Sequence, residues 1–257
     1  MKATPLISIV RAELLKTRKS KTMVLLILGA FFIPLIRMII QWTHVTKTAQ
    51  LNCMPDAFHV HLTNSWEPMA YLLFPLGIVL CTSLIVYPEY LNNTWKQMHT
   101  APVSSTQLFL GKYIVIFLLL LLFLLLFQLA VLLSIFIPPL FWQSIPFPNS
   151  SPDVLEWLQC IASYFLAGLP IVAFQFLIAM RIGNIFTVIG TGMIMLITSI
   201  FTMQWENGYF FPFGFPGLEH RTYAVSGVPH YYGWMISEFI IFTIAGLFLF
   251  TSKKMKG

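Results

Sequence analysis

Apolar residues in this chain fall in long unbroken blocks, not in the alternating or one-faced patterns of soluble elements. Six blocks stand out, at residues 23–41, 69–87, 113–137, 158–180, 185–203 and 234–250. A helix needs about 20 mostly apolar residues to cross the hydrocarbon core of a bilayer. Each block is long enough or nearly so. The third is mostly Leu and Phe, a composition suited to lipid contact. The pattern predicts an all-α membrane protein with six transmembrane helices. The single domain divides into a leading segment (1–21), a six-helix bundle (23–250) and a basic tail (251–257).

The leading segment has a different period. Leu6, Ile7, Val10 and Leu14 recur at helical spacing with Arg11, Glu13 and Lys16 between them. This predicts an amphipathic helix lying in the membrane interface, its cations among the headgroups. The basic stretch does not read as a cleaved signal, since the following apolar run is too long and lacks a small-residue cleavage site.

Composition agrees with the blocks. Hydrophobic residues make up 58% of the 257 residues and charged residues 9%, against about 25% charged in an average soluble domain. Mean hydropathy is +0.80. The net charge of +6 does not indicate nucleic acid, because the cations flank apolar runs and form no face interleaved with base-stacking aromatics. With the N-terminus in the cytoplasm, Lys2, Arg11, Lys16, Arg18, Lys19, Lys21, Lys96, Lys112, Arg181, Lys253, Lys254 and Lys256 all fall inside, and only Lys47 and Arg221 fall in outer loops. That asymmetry predicts a multi-pass protein of the cell inner (plasma) membrane with both termini cytoplasmic. The three cysteines, Cys53, Cys81 and Cys160, form no CxxC and support neither a disulfide framework nor a zinc knuckle.

The stretch between the second and third blocks reads PEYLNNTWKQMHTAPVSSTQLFLGK, from Pro88 to Lys112. Asn92, Asn93 and Thr94 can cap a short helix. Trp95 and Met98 give it an apolar side, and Pro102 stops it. Ser104 or Ser105 can cap the helix that follows. A short helix across the cytoplasmic mouth is a natural peg for a soluble partner. Here the chain resembles the type 2 ABC exporter permeases. A Glu near the end of their second helix precedes a segment similar to this one, matched here by Glu89, Asn93, Thr94, Trp95, Pro102, Ser104, Gly111 and Lys112. The stretch Ala12 to Thr22 resembles the helix that leads such permeases into the membrane. The resemblance covers the whole chain. It implies a dimer of six-helix units, with an identical or related second permease and one ABC ATPase under each. It implies that the segment around Asn92 to Thr100 is the coupling helix, with Glu89 at its base. Size and loop pattern look most like permeases of lantibiotic or bacteriocin self-protection, or of bacitracin-type resistance. Those export amphipathic antimicrobial peptides.

The chain carries no ATPase motif. A phosphate-cradling loop needs G-x-x-x-x-G-K-[ST], and the one Gly-Lys, Gly111-Lys112, is followed by Tyr113. This reading makes the chain a permease subunit and not an enzyme. It binds no cofactor, and ATP and Mg belong to the partner ATPase. The alternatives are an intramembrane protease or lipid-modifying enzyme, and a non-ABC channel or scaffold. The first needs convergent catalytic residues at a shared depth, and none are evident. A channel would show polar or small positions along one helix face, whereas the third block is greasy all round.

Some polar and aromatic residues remain. Arg37 in the first span and Glu238 in the sixth sit at similar outer depths. They pair or line an outer cavity on the substrate path, or each snorkels to the interface. Gln128 and Gln175 suit hydrogen bonding between helices. Cys53, Asp56, His59 and His61 crowd one outer loop, but their spacing matches no compact metal motif. The loop from 204 to 233 is rich in aromatics and reads as short broken helices dipping into the outer leaflet. Within it Trp205, Tyr209, Phe210 and Phe211 are candidates for the exit region or for an interfacial belt. Phe213 and Phe215 belong to the same run. Membrane lipid is the surrounding partner.

Overall fold

The computed structural model describes residues 6–18, 20–91, 104–151, 153–205, 208–224 and 231–252. Among these residues every regular element is helical. α1 runs Leu6–Arg18, α2 Lys21–Thr43, α3 Val45–Asn52 and α4 Ala57–Pro68. A π-helical turn, Met69–Leu73, joins α4 to α5, Phe74–Leu91. α6 covers Ser105–Phe141, α7 Val154–Arg181 and α8 Ile185–Thr202. Two 3-10 turns, Gly208–Phe210 and Pro212–Gly214, lead into α9, Phe215–Ala224, and α10 is Tyr232–Ser252.

Six helices or joined helices are long and apolar enough to cross a membrane: α2, α4 with α5, α6, α7, α8 and α10. Their outward faces carry exposed Leu28, Phe32, Phe186, Ile194, Ile241 and Phe248. In water such faces would aggregate; in lipid they are solvated. The chain is a multi-pass membrane protein.

Local chemistry starts several spans. Ser20 Oγ accepts from the Thr22 amide at the head of α2. Asp153 and Asn184 do the same for Leu155 and Phe186 at the heads of α7 and α8. At α6 the cap is Ser104, not Ser105. Its hydroxyl accepts from Gln107 N at 3.2 Å, and Gln107 Oε1 accepts from Ser104 N at 3.3 Å, a reciprocal capping box.

Two spans are longer than the apolar blocks. The second does not begin at residue 69 but runs from Ala57. The expected outer loop over 42–68 is therefore largely helical, as α3 and α4. Pro68 has no amide proton, so the chain loses one i→i−4 bond there and passes through a wider π turn before α5 resumes. α6 likewise continues through Pro138 and Pro139 to Phe141. Proline fixes a φ already suited to a helix and forfeits only its own bond, and Trp142 N donates to Pro138 O to close the last turn. The aromatic loop between α8 and α10 does hold short broken helices.

α2 packs along α6, α10 along α7, and α5 lies against α7 and α8. Trp66 stacks on Tyr164 at 3.6 Å between ring centres and meets Phe127 edge-on. Small residues set the helix spacing, as expected where van der Waals contact drives association. A Cβ on Gly192 of α8 would stand 2.6 Å from Val79 and 2.8 Å from Gln175 Oε1. Gln175 does bridge helices: its Nε2 donates to Val188 O at 3.0 Å and to Ser83 Oγ at 3.3 Å. Gln128 is fully buried, and neither polar atom of its amide has a hydrogen-bond partner.

Gly192→Leu should push α8 off α5. The expected cost is about 1–3 kcal/mol, as for an overpacked core, seen as a lower melting temperature in detergent. Gly190→Leu, on the same helix with nothing within 4 Å of its Cβ position, should leave melting nearly unchanged.

Candidate functional site

α1, the end of α5, the start of α6 and the end of α10 gather at one end of the bundle, through Lys16–Glu89, Lys112–Glu13 and Phe109–Phe250 contacts. This basic end also bounds the segment 92–103. The predicted peg residues Asn92, Asn93, Thr94, Trp95, Met98 and Pro102 lie outside the described residues. What flanks them is described in full.

α1 does not bury the stripe its apolar spacing suggests. Ile7 is exposed, and the buried face is Ile9, Glu13 and Thr17, one turn apart each. Ile9 lies against Gly111 of α6, where a Cβ would stand 2.7 Å from Ile9 Cγ2. This close approach carries Glu13, one turn on, to the next residue of α6. Lys112 Nζ donates to Glu13 Oε2 at 2.8 Å and to Glu89 Oε1 at 2.9 Å. Lys16 Nζ meets the same two carboxylates, Glu13 Oε1 at 2.9 Å and Glu89 Oε1 at 3.1 Å. The four side chains form a closed ring of alternating charge across α1, α5 and α6.

Glu13, Glu89 and Lys112 are buried, while the Lys16 side chain is 58% exposed. Moving a single ion out of water costs several kcal/mol, repaid only by close, hydrogen-bonded partners. Two carboxylates against two ammonium groups supply them. Burial, the largest single influence on Lys16, lowers its pKa. The Glu13 and Glu89 carboxylates together outweigh it and hold Lys16 above its ordinary 10.5.

Next to Glu89, Tyr90 donates its hydroxyl hydrogen bond to Met180 O at the end of α7. Gly183 makes room for the ring, since a Cβ there would stand 3.0 Å from Tyr90 Cδ1. The chain is thus pinned on both sides of segment 92–103, by Glu89 and Tyr90 before it and by the Ser104 cap and Lys112 after it.

The other candidates lie elsewhere. Arg37 and Glu238 are not joined: no ion pair links them among the described residues, and Arg37 Nε and Glu238 Oε2 are each buried without a hydrogen-bond partner. The carboxylate whose field reaches Arg37 belongs to Glu67. Trp205 is exposed, Phe210 packs edge-on against Trp234 at 4.7 Å, and Phe211 is half-buried. Tyr209 lies in the first 3-10 turn, its side chain outside the described residues. Phe213 and Phe215 are core residues.

The Cys53, Asp56, His59 and His61 group is dispersed. His61 Nε2 lies 2.8 Å from Asn52 Oδ1, and His59 Nδ1 lies 2.7 Å from Glu156 Oε1. Asn52 also donates to Pro146 O, and Phe58 N donates to Ser150 Oγ, which ties α3 and α4 to the α6–α7 connection. No group of three metal-ligating side chains converges among the described residues.

Sequence reasoning missed Glu13 and Lys16. A signal was present, because Glu13 is the one acidic residue in a strongly basic leader. An acid kept there needs cations to face.

Comparison with known proteins adds a family. The profile described as ABC-2 family transporter protein matches residues 9–204, which include all four residues of the charge ring. The chain belongs to the ABC-2 transporter family. Membership implies a permease subunit served by a separate ATPase. No curated protein and no solved structure gave a significant match.

Lys112→Met should cost about 3–5 kcal/mol, the penalty for stranding buried charges. Melting temperature in detergent reads it out, and Lys16→Met, whose head is wet, should cost clearly less. A second expectation concerns His220 of α9, 3.4 Å from the Tyr164 hydroxyl. Burial holds its pKa below the ordinary 6.5, against the weaker opposite pull of Glu67. The folded state favours neutral imidazole, so this contribution is full above 6.5 and falls as pH drops from there toward the folded pKa. Melting temperature should decline over that range, and His220→Gln should flatten part of the decline.

Proposed function

We propose that the chain is the membrane half of an ATP-driven exporter, and that segment 92–103 is the handle its partner ATPase grips. The observation that carries this reading is the charge ring. It fastens both sides of that one segment to three helices, so a push on the segment is delivered to α1, α5 and α6 together. The short helix that sequence suggests for Asn92 to Thr100, with Trp95 and Met98 toward the ATPase, fits such a handle. Glu89 acts as its anchor.

In this reading the basic end faces the cytoplasm of the plasma membrane, as the positive-inside pattern favours. ATP and Mg sit on the partner. The only Gly-Lys of this chain supports that assignment, because Lys112 is engaged by two carboxylates. Two permease copies, identical or related, form the working unit, and the exposed apolar faces of α2 and α10 supply surface for that contact. The cargo is hydrophobic or amphipathic. Antimicrobial peptides are the subclass favoured by the sequence resemblance, and the aromatic turns around Trp205, Phe210 and Phe211 lie at the far end, where cargo leaves.

Co-expression with its cognate ABC ATPase should yield a co-purifying complex. Trp95→Asp with Met98→Asp should lower transport about tenfold or more, a coupling loss within the usual range, while the chain still reaches the membrane. Transport at the unaltered rate would place the handle elsewhere.

A further inference from the structure

An apolar groove of about 270 Å³ runs between α2, α5 and α6, away from the charge ring. Leu25 and Gly29 form one wall, Leu76 and Gly77 the second, and Leu119 and Phe123 the third. The lining is hydrocarbon with one notable break. Thr82 borders the groove, its side chain is fully buried, and its hydroxyl has no hydrogen-bond partner. A hydroxyl in that state carries a desolvation penalty that an acceptor on a ligand would remove.

The groove does not end in a wall. Leu84 and Ile85, less than a turn beyond Thr82, open into a second recess of about 310 Å³ at the basic end. Lys16, Ser20, Thr22, Glu13 and Glu89 line it. Exposed Lys21 sits between Ser20 and Thr22, with exposed Arg18 just before. Around this mouth two carboxylates, Glu13 and Glu89, face four cations, Lys16, Arg18, Lys21 and Lys112. The surplus is positive. The sequence of features along α5 is therefore a hydrocarbon slot, an unpaired donor and then a cationic, hydrated mouth. Leu73 to Thr82 covers about 14 Å at the helical rise of 1.5 Å per residue.

We propose that this groove is a binding site for one anionic glycerophospholipid. An acyl chain fills the slot beside Gly29 and Gly77. An ester carbonyl accepts the Thr82 hydroxyl hydrogen bond, and the phosphate meets Lys16 and Lys21. A second copy of this chain fits the features less well, because the carbonyls of a transmembrane helix are already used within it and leave Thr82 unpaired. The inference goes beyond the transport reading, and its test contains no ATPase, so the two stand or fall separately.

The purified full-length chain is titrated in detergent with phosphatidylglycerol or with phosphatidylcholine of the same acyl chains, and bound lipid is counted by native mass spectrometry. The expected result is one retained phosphatidylglycerol per chain, held more tightly than phosphatidylcholine. Gly77→Phe should remove it, since a Cβ at Gly77 has nothing within 4 Å and the new ring would occupy the slot. Replacing a helical glycine also raises helix propensity, so folding is not at risk from the backbone. Thr82→Val, which keeps the shape, should weaken both lipids about fivefold, the size of one hydrogen bond. Lys21→Gln should narrow the preference for phosphatidylglycerol and leave chain binding in place. Undiminished phosphatidylglycerol binding in Gly77→Phe overturns the proposal. So does a Gly77→Phe variant that loses dimer and keeps its lipid, which assigns the slot to contact between copies. If Gly77→Phe does not fold, undiminished binding in Thr82→Val overturns it equally.

Discussion

A buried ammonium group has few ways to survive in a bundle otherwise built from Leu, Ile and Phe. Lys112 is 1% exposed and lies one turn inside a helix that goes on to cross the membrane. Its survival depends on carboxylates placed at hydrogen-bonding distance, and both come from other helices. That requirement fixes a large part of the architecture at this end. α1 must lie against α6 so that Glu13 arrives, which is why residue 111 is glycine. α5 must end beside α6 so that Glu89 arrives, and Lys16 then closes the ring from the wet side. A neutral ring of four is tolerable where any three would not be. The same logic gives the transport reading its mechanical content, since a segment rooted in such a ring cannot move without moving three helices.

Much of the architecture was readable from hydropathy alone. All six spans were visible because a bilayer imposes a length and a composition on whatever crosses it. The ends of the second and third spans were misread. Polar α4, with His59, His61, Asn64 and Glu67, looks like a loop by composition. It is helical because tertiary partners on the α6–α7 connection hold it, and Pro68 is absorbed by a π turn. Pro138 and Pro139 looked like a stop and instead sit in the last turn of α6.

The site was legible only in part. Glu89 and Lys112 stood in a segment with its own capping and stopping signals, so attention fell there. Glu13 and Lys16 did not, because helical periodicity counts apolar positions and the residue buried between Ile9 and Thr17 is an acid. Depth along a helix also proved a poor guide to pairing. Arg37 and Glu238 share a depth but stand on helices that do not bring them together, and it is Glu67 whose charge reaches Arg37. Angular position around the bundle, which sequence does not encode locally, decides such contacts. The unpaired Thr82 hydroxyl shows the same limit from the other side, since only packing reveals which threonine finds no carbonyl.

The interdependence of the ring is the claim on which the rest stands. Its most direct test is a double-mutant cycle on unfolding free energy, with Glu13→Gln, Lys112→Gln and the two combined. The account predicts strong coupling: the double variant should cost less than the two single penalties together, by about 1–3 kcal/mol. Penalties that simply add, within about 0.5 kcal/mol, would show that Glu13 and Lys112 act independently, and α1 would then not be fastened to α6 by charge.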